Sequence, residues 1–205
     1  ESAAELAPNK AQKVRLTYLN AQLYALLKKR YESALAYEAV LKLHPDDYDI
    51  TFSAQIKRAE NFDVYMEDIA VIEKDLGKML RDDKNITYRD QIYYVWALKR
   101  LDLEHFPEAE KLLVQSIQSS VDNPKQKGKS YLALAGVAFD FRDFVQAQAY
   151  YDSALAVLPA GYGGADTLQH RKSVLDELVL AINTITLEDS LQAMYGMSET
   201  ALREK

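Results

Sequence analysis

The stretch from 131 to 159, YLALAGVAFDFRDFVQAQAYYDSALAVLP, restricts the fold more than any other part of the chain. Tyr131, Leu134 and Ala135 fall at helical spacing, and Phe144 marks a turn. Ala147, Tyr151 and Ala154 then recur along a second helix, which Pro159 closes because proline cannot continue a helical ladder. Bulky residues three or four apart, with small ones at set places between them, describe two helices pressed together. The alanines belong where the backbones approach, and the aromatics fill the gaps beside them. Such a pair cannot bury its apolar face alone, so packed neighbours are expected.

The order aromatic, Leu, small residue, then Ala, aromatic, Ala and Pro resembles the tetratricopeptide repeat. Two slots depart from it: Ala135 stands for the usual Gly, and Ala138 for the usual Tyr. Three further helix pairs are expected upstream. After a polar lead-in over residues 1 to 10, Lys10–Leu27 and residues 31 to 44 form the first, stopped by Pro45. Matching Tyr24, Ala34 and Pro45 to repeat slots requires an extra residue in the turn and one fewer in the second helix. Tyr48–Ala59 and Val64–Leu80 form the second. Gly77 within it costs about 1 kcal/mol against Ala, which a close helix crossing would justify. RDDKN, 81 to 85, reads as a loop.

In the third pair, Ile92–Leu103 carries Tyr93, Trp96 and Ala97, and Phe106 leads into Ala109, Leu113 and Ser116. The polar run SVDNPKQKGKS reads as a long connection. It would account for the 38 residues from Val121 to Pro159, against a usual period of about 34. Beyond the turn AGYGGAD, Leu168–Ile182 forms an amphipathic cap over the last repeat. Leu187–Met194 is a short helix ending at Gly196, and Ser198 can cap the tail. The expected architecture is all-α: a right-handed superhelical tetratricopeptide-repeat solenoid over residues 1–160, with capping and tail helices over 161–205.

Composition agrees with long helices. Seven glycines and five prolines in 205 residues are too few for the turns of an all-β fold. The net charge of −6 argues against nucleic acid, which requires a basic face. With no cysteine, disulfides, zinc–thiolate sites and cysteine nucleophiles are excluded. No apolar run approaches the roughly 18 residues needed to span a bilayer. The chain begins ESAAELAPNK without a signal segment, so it is expected to be an excised piece of a longer protein.

Motifs that carry chemistry fall away one by one. GKS at 128 to 130 resembles the end of a phosphate-binding loop, but Asn123 stands where that motif needs glycine, and the segment reads as a solvated loop. GYGG at 161 to 164 lacks the third glycine of a dinucleotide fingerprint and reads as a turn. His44, His105 and His170 show no zinc-helix spacing. Asp46, Asp47 and Asp49 lack the glycine and terminal Glu of a calcium loop, and read as a charge cluster at a helix start. No base–nucleophile pair emerges, so neither an enzyme nor any cofactor is expected.

Stacked helix pairs bind extended or helical segments along the surface lined by the first helix of each pair. Projecting those helices gives Arg15, Tyr18 and Gln22, then Tyr48, Thr51, Gln55 and Arg58. Gln91, Tyr94 and Leu98 follow, then Lys129, Leu132 and Phe139. This stripe is either a protein-binding groove or merely an exposed face.

Several stretches carry a more specific likeness: QLYALLKKRYESALAYEAVLKLHP, GKMLRDDKNITYRDQIYYVWAL, QKGKSYLALAGVAFDFRDFVQAQAYYDSAL and INTITLEDSLQAMYGMSE. In this order, over roughly residues 15 to 199, they resemble the tetratricopeptide-repeat lipoproteins of the Bacteroidetes type IX secretion and gliding machinery, the PorW/SprE family. Trp96 and Ala97 depart from its usual Leu-Gly pair. The resemblance implies a periplasmic scaffold, anchored at the outer membrane through a lipidated cysteine outside this chain. It would link the secretion translocon to ring and motor components, and it transfers no catalytic residue. The alternative is a generic repeat module that regulates an enzyme or chaperone. Chaperone-type grooves cluster Lys and Arg, whereas here Arg15, Arg58 and Lys129 come one per helix.

Overall fold

Short polar side chains set most of the helix starts. Asn9, Asp47, Asp68, Asn123 and Asp143 each accept a hydrogen bond from a backbone N–H in the first turn that follows, satisfying donors that have no intrahelical partner. The computed structural model describes residues 4–195. Among these there is no strand. The helices are α1 (Lys10–Leu26), α2 (Arg30–Lys42), α3 (Tyr48–Asn61), α4 (Ile69–Arg81), α5 (Arg89–Asp102), α6 (Phe106–Ser119), α7 (Pro124–Asp140), α8 (Phe144–Val157) and α9 (Ala165–Tyr195), with a 3-10 helix at Asp83–Tyr88. They fall into two compact units, residues 1–122 and 123–205, so position 160 lies inside the second unit, where α9 packs on α8.

Three pairs, α1/α2, α5/α6 and α7/α8, are built alike. In each, the first helix ends on a non-glycine residue with positive φ: Lys28, Glu104 and Arg142. The hydrogen bonds also repeat. Lys29, His105 and Asp143 donate their N–H to the carbonyls of Tyr24, Arg100 and Ala138, and Lys28, Glu104 and Arg142 donate to Ala25, Leu101 and Phe139. These are Schellman closures, which satisfy the last carbonyls of a helix. A left-handed residue with a Cβ is unfavourable by about 1–2 kcal/mol, so packing must hold these turns.

That packing is small against small. Ala21 and Ser33, Ala97 and Ala109, and Ala135 and Ala147 are all fully buried, and each couple is twelve residues apart. The first pair therefore needs no extra turn residue. Ser33, rather than Ala34, fills the small slot, and its hydroxyl donates to the Ala21 carbonyl at 2.9 Å. Tyr37 and Val40 then follow at the spacing of Leu113 and Ser116, and of Tyr151 and Ala154. A polar residue in a slot expected to hold alanine hid this regularity.

The pair α3/α4 departs from that plan. Its inner positions carry Phe52, Ile56, Phe62, Ile72, Leu76 and Met79, which hold the two backbones apart and share a core with Ile92 and Val95 of α5. Gly77 marks no close crossing, because a Cβ there would meet only the Arg81 side chain, at 3.7 Å. The stretch read as a loop at 81 to 85 runs into the 3-10 helix, which Asp82 starts by accepting from Lys84.

Two other expectations are corrected. PKQKGKS is the first half of α7 rather than a connection, and Gly128 and Ser130 are buried. The longer period comes from this longer first helix. A Cβ on Gly128 would lie 2.6 Å from Leu158 Cγ, whereas one on Gly136 would meet nothing. Downstream, α9 is one continuous helix rather than two. The segment between the expected pieces contains no Gly or Pro, and Thr184 and Thr186 return their hydroxyls to carbonyls four residues back. Gly196 and Ser198 lie outside the described residues.

Gly128→Ala and Gly136→Ala gain the same helix propensity, so their difference isolates the collision with Leu158. Denaturant unfolding should find Gly128→Ala less stable than Gly136→Ala by about 1–3 kcal/mol, with Leu158→Ala recovering part of the loss. Equal stabilities would remove glycine's steric role.

Burial, followed by the nearby Tyr18 and Glu60, pushes the Tyr37 phenol from 10.0 up to about 12. The folded chain keeps this proton after the unfolded chain has lost it. The stabilisation is therefore complete below pH 10 and disappears as pH rises towards 12. Tyr37→Phe should flatten the fall in stability across that alkaline window and remove one late phenol from the absorbance titration.

Candidate functional site

The projected stripe spans both compact units, and each unit positions its own part of it. In the first unit Arg15 and Tyr18 of α1 line a shallow apolar cleft with Ile50 and Ser53 of α3. Tyr18 is largely a packing residue: its hydroxyl lies 2.6 Å from Ser53 Oγ, and its ring meets Tyr37 edge-on at 5.3 Å. Gln22 is exposed. Thr51 turns its hydroxyl to the Asp47 carbonyl.

Tyr48, Gln55 and Arg58 come together in a cleft of about 270 Å³, walled by α3, α4 and the 3-10 helix. The Tyr48 hydroxyl donates to Asn85 Oδ1 at 2.6 Å, and the buried Asn85 amide donates to the Met79 carbonyl. Lys84 sits over the Tyr48 ring at 5.3 Å. Arg58, only 15% exposed, lies 3.1 Å from Asp75 and 3.7 Å from Glu38. Lys78 completes the cluster on Asp75, and Lys42 on Glu38. Arg58 is thus neutralised by carboxylates from α2 and α4. Their positions follow from packing between helices and leave no pattern along any single one.

Gln91, Tyr94 and Leu98 are half-buried on α5, with Tyr94 against the Phe52–Val95 core. Beside them the chain buries a charge that sequence reasoning missed. Lys99 is fully buried, and its ammonium donates to the carbonyls of Glu60 and Phe62 and to Asp102 at 2.7 Å. All three of its donors are therefore used. Burial pulls its pKa down, and the hydrogen bond to Asp102 opposes that pull. Arg30 reaches the same Glu60 carbonyl and Asp102, which ties α2, α3 and α5 together.

In the second unit Lys129 is half-buried, and Leu132 packs on the core of Ala135, Ala147, Tyr151 and Leu175. Phe139 behaves differently. It is 48% exposed, edge-on to Phe144 at 5.5 Å, and it walls a groove of about 740 Å³. The buried Tyr151 and Leu175 close the floor, and Val174 and Leu178 of α9 form the opposite wall. Asp140, His170 and Arg171 stand at the rim. The α9 wall could not be read from a stripe of first helices, because it arises only when α7 and α9 both flank α8. On its other side α9 is clamped by Lys172, which bridges Asp152 and Asp176, while Gln148 donates to Asp176.

Among the described residues no three of His, Asp and Glu gather in a metal-holding group, and no helix is long and apolar enough to cross a membrane. Asp46, Asp47 and Asp49 are spent locally: Asp46 on Lys10, Asp47 on the N-terminus of α3, and Asp49 on the Tyr88 hydroxyl. The chain matches no protein-family model and no curated protein.

The Glu38 carboxyl is held below its usual 4.5, first by the hydrogen bond from Lys42 and then by the charge of Arg58, against an opposing push from burial. Its contribution to stability is therefore present above that value and is lost as pH falls through the depressed one. Carbon-13 titration of Glu38 should show Lys42→Ala raising its pKa more than Arg58→Ala. The reverse order would place the main interaction on the arginine.

Proposed function

We propose that this chain is a non-catalytic protein-binding scaffold of tetratricopeptide-repeat type, a right-handed helical solenoid that serves as an adaptor in the type IX secretion and gliding machinery. On this reading it works in the periplasm, joined to the outer membrane through a lipidated segment outside this chain. It links translocon to ring or motor components. The family assignment rests on the four stretches quoted above. The repeat assignment draws support from the three helix pairs with matching small slots and matching turns.

One observation carries the binding role. The groove beside Phe139 has half-exposed apolar walls, a sealed floor and charges only at its rim. Grooves of that kind take one or two anchor side chains from an amphipathic helix or an extended segment. The alternative, a module gripping a chaperone's terminal carboxylate, needs accessible clustered cations. Arg58, the best-placed cation of the first unit, is committed to Asp75 and Glu38, which counts against that reading.

Crosslinking with mass spectrometry on the intact parent in its native envelope tests the proposal. The expected result is a set of links to translocon or ring proteins that is lost in Phe139→Asp, while helicity and melting temperature stay within the small change typical of an exposed position. Links that persist in Phe139→Asp would remove the groove from the interface. Links confined to a soluble enzyme or chaperone would replace the secretion reading with the alternative.

A further inference from the structure

Outside the groove, two exposed apolar faces among the described residues carry opposite charges. The first lies at the turn end of the α1/α2 pair. Leu19, Leu23 and Leu26 of α1 and its C-cap Leu27 recur at helical spacing, all substantially exposed, with Leu26 79% open. Lys28 and Lys29 follow them directly, exposed, with no ion pair among the described residues. The second is the far half of α9, where Leu180, Leu187 and Leu191 share one stripe, exposed by more than half. Exposed Glu177 and Glu188 lie three residues before Leu180 and Leu191, along one edge of this stripe, whereas Asp189 falls on the opposite side of the helix. From Ser173 to Tyr195 the helix has four acidic residues and no Lys or Arg.

A helix that is apolar on one side and purely acidic in charge does not pair with a copy of itself, because the carboxylates would face each other. It fits a partner that presents leucines beside unpaired lysines. The α1/α2 turn has that chemistry, and its Leu23–Leu27 spacing equals that of Leu187–Leu191. We propose that the chain associates with a second copy of itself, with the acidic leucine face of α9 in one molecule docking on the basic leucine face of α1/α2 in the other. The contact is heterologous, one face against a different face, and it is independent of the groove beside Phe139.

The test is a charge exchange on the chain of residues 1–205, read by sedimentation velocity. From about 1 µM to about 100 µM, where a modest interface becomes populated, the average mass of the wild type should rise above that of one chain. Glu177→Lys with Glu188→Lys should weaken association by at least about tenfold, as should Lys28→Glu with Lys29→Glu. All four changes together should restore it, since the attraction is then only inverted. Circular dichroism checks that each variant keeps its helices, and all four sites are exposed, so folding should be unaffected. A wild type that stays monomeric overturns the proposal. So does a pair of reversals that leaves association intact, or a folded quadruple variant that fails to recover it.

Discussion

Close contact between small buried residues is the constraint on which the rest of the structure depends. Where Ala97 meets Ala109, Ala135 meets Ala147, and Ala21 meets Ser33, the two helices of a pair approach far enough for the turn between them to be fixed. The chain accepts a left-handed Lys28, Glu104 or Arg142 at each of those turns. Glycine would be conformationally cheaper there. Packing between the paired helices compensates for the strain, so the turn chemistry follows from the helix contact rather than causing it.

Where small slots are missing, other forces take over. Between α3 and α4 large side chains keep the backbones apart, and the space is filled by Phe52, Phe62, Ile72 and Leu76. Polar staples secure the edges of this looser region. Lys99 and Arg30 cap the carbonyl end of α3, and Asn85 joins Tyr48 to the end of α4. A buried ammonium is costly unless every donor is satisfied, and here every donor is. The sites follow the same division. The looser region holds a polar cleft whose charges cancel one another, while the tight pair α7/α8, flanked by α9, leaves an apolar groove with charges only at its margin.

The sequence by itself determined the all-helical class and the positions of most helices, whereas the exact twelve-residue spacing of the tight pairs emerged only from burial. The class and the helix positions follow from short-range causes: spacing of apolar residues along one helix, polar caps at its start, and proline after its end. The same local patterns identified Phe139, Tyr48 and Arg58 as surface candidates on first helices. Tertiary structure alone decided what each of them does. Arg58 is neutralised because α2 and α4 bring carboxylates to it, Tyr18 is drawn into packing by Ser53 and Tyr37, and Phe139 gains an opposite wall because α9 lies along α8. The burial of Gly128 and Lys99 was equally hidden, since a glycine beside lysines and a lysine within a helix read as solvated until Leu158 or the Phe62 carbonyl is brought against them. Contacts between helices distant in sequence have no periodic signature along either one, and for that physical reason only the folded chain discloses them.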